Sequence, residues 1–136
     1  MGIKYLWDTN TAIYYLQQQF PTSAEKFIDD LLKEESPTIS VITEIELLCW
    51  KTATEKDLDV LNGFIKDALV IELEQSIKLK TAEIRKVHRI KLPDAIIAAT
   101  AMVYGLILLT RNVEDFKNII GLDIKNPWEI RKWTDL

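Results

Sequence analysis

The chain has 136 residues, 48% of them hydrophobic and 28% charged, which predicts one globular domain spanning residues 1–136. Collagen-like, low-complexity and disulfide-rich classes are excluded, and the single cysteine, Cys49, allows no internal disulfide. With 21 acidic against 17 basic side chains the net charge is −4, so a chain of this kind that acts on nucleic acid must gather its positive charge locally and offset its carboxylates with a metal ion.

Residues 3–7 form a short run of apolar, aromatic and β-branched side chains, which predicts a buried strand. Asp8 interrupts it too early for the hydrophobic segment of a signal peptide. The most apolar later stretch, residues 95–109, is too short and too rich in alanine for a membrane span. A cytoplasmic protein without membrane contact is expected. Asp8-Thr9-Asn10 are all helix-capping types, and a helix follows to about residue 20. Pro21-Thr22-Ser23 restarts the chain, and residues 24–35 read as a second helix with Ile28, Leu31 and Leu32 on one face. Ser36-Pro37 is a break, and residues 38–42 predict a second strand.

Thr43-Glu44-Ile45-Glu46 has the form of a capping box, which assigns Glu46 to satisfying a free backbone N–H and starts a helix that runs to about residue 51. Residues 55–66 are a further helix, with Leu58, Leu61 and Ile65 on its apolar side. Residues 69–73 predict a third strand and residues 75–90 a helix. Pro93 opens another helix that ends near Gly105. Residues 106–109 form a fourth strand, residues 112–119 a short helix, and residues 121–124 a candidate fifth strand. The alternation of strands and helices predicts an α/β fold, a three-layer α/β/α sandwich around a parallel sheet of four to five strands. In such sheets, sites form beyond the carboxyl ends of the strands.

The acids fall in those places. Asp8 follows the first strand, Glu44 the second and Asp115 the fourth, while Asp94 lies in the first turn of the alanine-rich helix. Taken singly, each is explained by the attraction of a carboxylate to a helix N-terminus. Together, and set in apolar surroundings where an unpaired carboxylate is costly, they form the oxygen-rich donor set of a hard divalent cation.

Four segments carry a resemblance. They are Leu6-Trp7-Asp8-Thr9-Asn10; the run from Ser40 to Leu48; Leu92-Pro93-Asp94-Ala95-Ile96 with its continuation to Ala101; and Leu109-Thr110-Arg111-Asn112-Val113-Glu114-Asp115-Phe116. In order and spacing the chain resembles the PIN-domain family, and within it the VapC-type toxin ribonucleases of type II toxin–antitoxin systems. The resemblance implies an endoribonuclease that uses Mg²⁺ or Mn²⁺ to cleave structured RNA such as tRNA or rRNA. It implies that Asp8, Glu44, Asp94 and Asp115 are the catalytic, metal-holding acids. Thr9 and Thr110 become their polar neighbours, and Asn112 a residue behind the ligands or against the substrate. A homodimer and a cognate antitoxin are the implied protein partners. Trp7 and the pair Cys49-Trp50 depart from the smaller residues usual in relatives and are expected to bear on the shape of the pocket.

Residues 78–91 concentrate Lys78, Lys80, Arg85, Lys86, Arg89 and Lys91 just before Asp94. Either this is a solvated helix face, or Arg85, Lys86, Arg89 and Lys91, joined by Arg111, contact RNA phosphates. His88 reads as a helix-surface residue and Cys49 as core, while Trp128 and Trp133 suit core or interface. The competing functions are a non-catalytic PIN-like module that binds RNA or protein, and a small-molecule phosphohydrolase. A phosphohydrolase with a nucleophilic Asp usually carries a second Asp two residues later, where this chain has Asn10. A dinucleotide-binding fold is excluded by four glycines and no G-x-G-x-x-G.

Overall fold

The computed structural model describes residues 2–129. In chain order the elements are β1 (Tyr5–Trp7), α1 (Thr9–Leu16), α2 (Thr22–Leu32), β2 (Thr38–Ser40), α3 (Val41–Leu48), α4 (Glu55–Asp67), β3 (Leu69–Ile71), α5 (Gln75–Val87), α6 (Leu92–Tyr104), β4 (Ile107–Leu109), α7 (Val113–Phe116) and β5 (Ile124–Lys125), followed by a 3₁₀ turn at Pro127–Glu129. Trp133 lies outside the described residues. Among these, no helix is long and apolar enough to cross a membrane.

Every strand pairing is parallel. β4 lies between β1 and β5, with Leu6 opposite Leu108 and Leu108 opposite Ile124, while β2 pairs with β3. The expected single sheet of four to five strands is therefore divided into a three-stranded and a two-stranded ladder. Strands of two or three residues supply few ladder hydrogen bonds, and β2 packs beside β1 without joining it.

The layering follows from side-chain alternation along strands buried on both faces. Leu6 and Leu108 enter one core with Ile77 and Ile84 of α5 and Ala95–Ala101 of α6. Tyr5, Trp7 and Leu109 point the other way, into a core with Ala12 of α1, Ile28 of α2 and Leu61 and Phe64 of α4. Trp7 is fully buried, edge-on to Tyr15 with ring centroids 5.5 Å apart. It thus fills the second core. In α6 every residue from Ala95 to Ala101 is buried. Its alanines allow close packing against α5, and the Thr100 hydroxyl is satisfied within the helix by donating to the Ile96 carbonyl at 2.7 Å. The helix ends at Gly105, whose φ of 64° is the left-handed conformation that glycine adopts without a steric penalty.

The main local departure from expectation lies at the β2–α3 junction. The helix begins at Val41, because Ser40 has extended backbone and its Oγ accepts the Ile42 N–H at 3.1 Å. The capping box expected at Thr43 and Glu46 does not form, and Thr43 is instead buried inside the helix. The structure places a capping box at Thr54 and Asp57, opening α4. Cys49, expected in the core, is exposed. With Leu47 facing inward, a residue two positions later is turned roughly 200° around the helix. Replacing Ser40 by Ala should cost about 1 kcal/mol in urea unfolding, the usual value of a helix cap. A helix that began at Thr43 would leave that substitution neutral.

Candidate active site

Asp8 sits where β1 passes into α1. Its backbone N–H donates to the Leu109 carbonyl at 2.9 Å, so the end of β1 is tied to the end of β4. Its side chain is 4% exposed and takes three donors. Oδ1 accepts the Thr9 N–H at 2.8 Å, and Oδ2 accepts the Thr110 hydroxyl at 2.7 Å and the Asn10 amide at 2.9 Å. Asp8 is therefore the N-cap of α1, but that role uses only one oxygen. Burial pushes its carboxyl up to about 6, the bonds from Thr110 and Thr9 oppose this, and the charges of Asp94 and Glu46 add to it.

Asp94 is half-buried in the first turn of α6. Its carboxyl is also raised, first by burial and then by the charges of Asp115 and Glu46, with Lys91 opposing. Asp115, exposed on α7, accepts the Asn112 amide at 2.6 Å. The Asn112 backbone N–H donates to the Thr110 hydroxyl oxygen at 2.9 Å, which links that loop to Asp8's own donor.

The fourth acid at this site is Glu46, where Glu44 was expected. The Thr9 hydroxyl donates to Glu46 Oε1 at 2.7 Å, which leaves the Thr43 hydroxyl to donate to Thr9 at 2.9 Å. Thr43 and Glu46 are three residues apart and share one side of α3. Glu44 is two residues from Glu46, roughly 200° around the same helix, and cannot point with it. Ser40 is a capping type as well as Thr43, and with Ser40 as the cap Glu46 lies inside α3 and not at a capping position.

Asp94 and Asp115 line a cleft of about 670 Å³ together with Arg85, His88, Arg89 and Lys91. Because α5 ends at Val87, His88 to Lys91 form a loop beside α6, tied by Arg85 Nε donating to the Ile90 carbonyl at 3.2 Å. The basic strip thus divides. Arg85, Arg89 and Lys91 face the acids across the cleft, whereas Lys86 does not line it. His88 joins the lining, contrary to its reading as a helix-surface residue. Arg111 lies elsewhere, over the rings of Tyr14 and Trp128.

Carboxylate oxygens in a partly buried site are the donors that suit a hard divalent cation, and the carboxyls of Asp8 and Asp94, raised first by burial and then by neighbouring acids, would have their charged forms stabilised by one. Among the described residues no three His, Cys, Asp or Glu side chains already form a ligand cluster. The four acids share a field, but repulsion between like charges opposes their closing on one point.

Fold and site together define a parallel α/β protein with an acidic centre at the carboxyl edge of its sheet. A family model described as PIN domain matches residues 5–122, and the chain belongs to the PIN-domain family. It is 30% identical over 132 residues to the tRNA(fMet)-specific endonuclease VapC of Salmonella typhimurium, covering 91% of this chain and 98% of that protein. To the protein of the same name from Shigella flexneri it is 28% identical over 128 residues, covering 88% and 95%. Among solved structures it is similar to DNA-bound VapBC from Salmonella typhimurium, with a TM-score of 0.79, 28% identity and coverage of 93% and 99%. A toxin–antitoxin complex from Klebsiella pneumoniae gives a TM-score of 0.75 at 29% identity, covering 93% and 100%.

The raised carboxyl of Asp8 has a consequence for stability. Unfolded, the group ionises near 3.8; folded, near 6. Between those values the folded chain holds more protons, so stability falls as pH rises through this window, and the loss is complete above it. Asp8→Asn should flatten that fall and make the metal-free protein more stable above pH 6, by on the order of 1–3 kcal/mol. Urea unfolding at successive pH values measures it, and a variant less stable than wild type at neutral pH would contradict it.

Proposed function

We propose that this protein is an endoribonuclease that uses Mg²⁺ or Mn²⁺ to cleave structured RNA, with tRNA as the favoured class, and that it is the toxin of a toxin–antitoxin pair. The observation that carries the reading is the shared field of Asp8, Glu46, Asp94 and Asp115 beside the carboxyl ends of β1 and β4, with Asp94 and Asp115 lining one cleft together with Arg85, Arg89 and Lys91. The names of the VapC relatives favour tRNA, and the VapBC complexes favour an antitoxin partner. A toxin homodimer held by its antitoxin is the assembly this reading implies.

Asp8 and Asp94 would hold the cation, with Glu46 and Asp115 completing the donor set from either side. When bound, the cation supplies an activated water and offsets charge on the scissile phosphate. The chain's own residues do the positioning. Thr110 and Asn10 fix the Asp8 oxygen that does not cap the helix. The Thr9 hydroxyl, itself bonded by Thr43, holds Glu46, and Asn112 holds Asp115. Arg85, Arg89 and Lys91 would take up neighbouring phosphates.

Asp94→Asn should abolish cleavage of tRNA in single-turnover assays with Mg²⁺ or Mn²⁺ while the protein stays folded. Glu46→Gln should slow cleavage by at least roughly tenfold, the lower range for losing a group that merely orients a ligand, and Glu44→Gln should leave it intact. The opposite ranking of the two glutamates would restore Glu44 to the site. Wild-type protein that binds RNA but cuts none with either metal would instead be a binding module.

The basic wall gives a separate test. Neutralising Arg85 and Arg89 together should weaken RNA binding and flatten the log–log dependence on salt by about 1.4 to 1.8 units, the value of two phosphate contacts. An unchanged slope returns these residues to a solvated face.

A further inference from the structure

The sequence groups Arg111 with the candidate phosphate contacts, but its surroundings are aromatic. The guanidinium carbon lies 5.7 Å from the Tyr14 ring centre and 5.4 Å from that of Trp128, and Nη1 donates to the Tyr14 hydroxyl at 3.1 Å. Behind it the rings hold one another, Tyr14 and Trp128 edge-on at 4.9 Å and Phe20 and Trp128 at 5.0 Å. The rings are half-buried, whereas Arg111 is exposed. The aromatic cluster therefore fastens the segment at Pro127–Glu129 to α1 without needing Arg111, which covers it from the solvent side.

This cluster borders the acidic centre. The Arg111 N–H donates to Asn10 Oδ1 at 3.4 Å, and the Asn10 amide donates to Asp8 Oδ2 at 2.9 Å. Arg111 also directly follows Thr110, which donates to that same Asp8 oxygen. Tyr14 is one helical turn beyond Asn10 on α1, about 6 Å along the axis. A planar cation held by two rings, on a residue linked through Asn10 to Asp8, has the makings of a surface for a flat, electron-rich ring.

We infer that Arg111, braced by Tyr14 and Trp128, is a stacking platform for an unpaired nucleobase of the RNA adjoining the scissile phosphate. Unstacked bases are held this way on guanidinium planes and aromatic side chains, and the contact tolerates any base because each has a π-face. The platform would select for a single-stranded loop over a continuous duplex, since only a splayed base can reach it. The inference rests on the ribonuclease reading above and deepens it.

The test measures binding of a short, mixed-sequence single-stranded RNA in metal-free buffer, so that nothing is cut. Wild type, Arg111→Ala and Arg111→Lys are compared, and one abasic nucleotide is walked along the RNA. A stacking platform predicts that Arg111→Ala weakens binding by at least roughly fivefold, the lower range for one stacked base. Lysine should fail to restore it, and the difference between wild type and variant should vanish when one particular base is missing. If lysine restores binding and alanine lowers the salt slope by about 0.7, Arg111 is a phosphate contact and the platform is wrong. If all three proteins bind alike, the cluster serves packing or a protein partner, and the platform falls while cleavage of tRNA by wild type keeps the ribonuclease reading. Wild type that neither binds nor cleaves RNA removes both. Should melting curves show Arg111→Ala to be misfolded, the abasic walk on wild type decides alone: no position with a fivefold loss overturns the platform.

Discussion

The Thr110 hydroxyl donates to Asp8 across the carboxyl ends of β1 and β4, joining residues 102 positions apart in the chain. Much of the acidic edge depends on this buried bond. Asp8 can cap α1 with one oxygen because Thr110 and Asn10 satisfy the other. Thr110 in turn receives the Asn112 N–H and so sets the start of the loop that carries Asp115. Three donors are nonetheless outweighed by burial and by the neighbouring acids, and the carboxyl remains raised to about 6. The fold keeps a carboxylate where its charged form is disfavoured, and that cost is relieved by a proton or a cation.

Two structural features support that bond. The first is that β1 and β4 are buried on both faces, so Leu6 and Leu108 lock into one core while Trp7 and Leu109 lock into the other. A shift of one residue in register would exchange every side chain between cores of different shape. The second is α6, whose run of buried small and β-branched residues holds its first turn against the sheet edge and brings Asp94 into Asp8's field. Asp8 and Asp94 are thus held by the most deeply buried parts of the molecule, whereas Glu46 and Asp115 reach the edge from exposed positions.

The chain carries a net charge of −4, yet presents positive groups where a polyanion would lie. Arg85, Arg89 and Lys91 line the cleft on the Asp94 side, and Arg111 stands on the Tyr14 side. The two flanks differ in chemistry. One is a set of cationic side chains around a loop, suited to phosphate oxygens. The other is a guanidinium backed by rings, suited to a planar partner. In the proposed ribonuclease, these two flanks are the parts assigned to the RNA backbone and to an unpaired base.

Periodicity and punctuation alone determined the element order, the parallel α/β class and the positions of Asp8, Asp94 and Asp115, because strand ends and helix starts leave local signals in apolar runs, prolines and capping residues. The resemblance of four segments added the family. The tertiary structure decided what depends on rotation about an axis or on distant contacts. Ser40 and Thr43 are both competent caps, and in the fold Ser40 caps α3 while Thr43 is buried inside it and bonded to Thr9. The face of α3 that packs inward, with Thr43 and Leu47, leaves Cys49 exposed and brings Glu46 rather than Glu44 to the acids. The split of the sheet into two ladders, the enlistment of His88 into the cleft, and the seating of Arg111 on Tyr14 and Trp128 likewise leave no local mark, since each joins residues far apart in the chain or depends on where a helix happens to end.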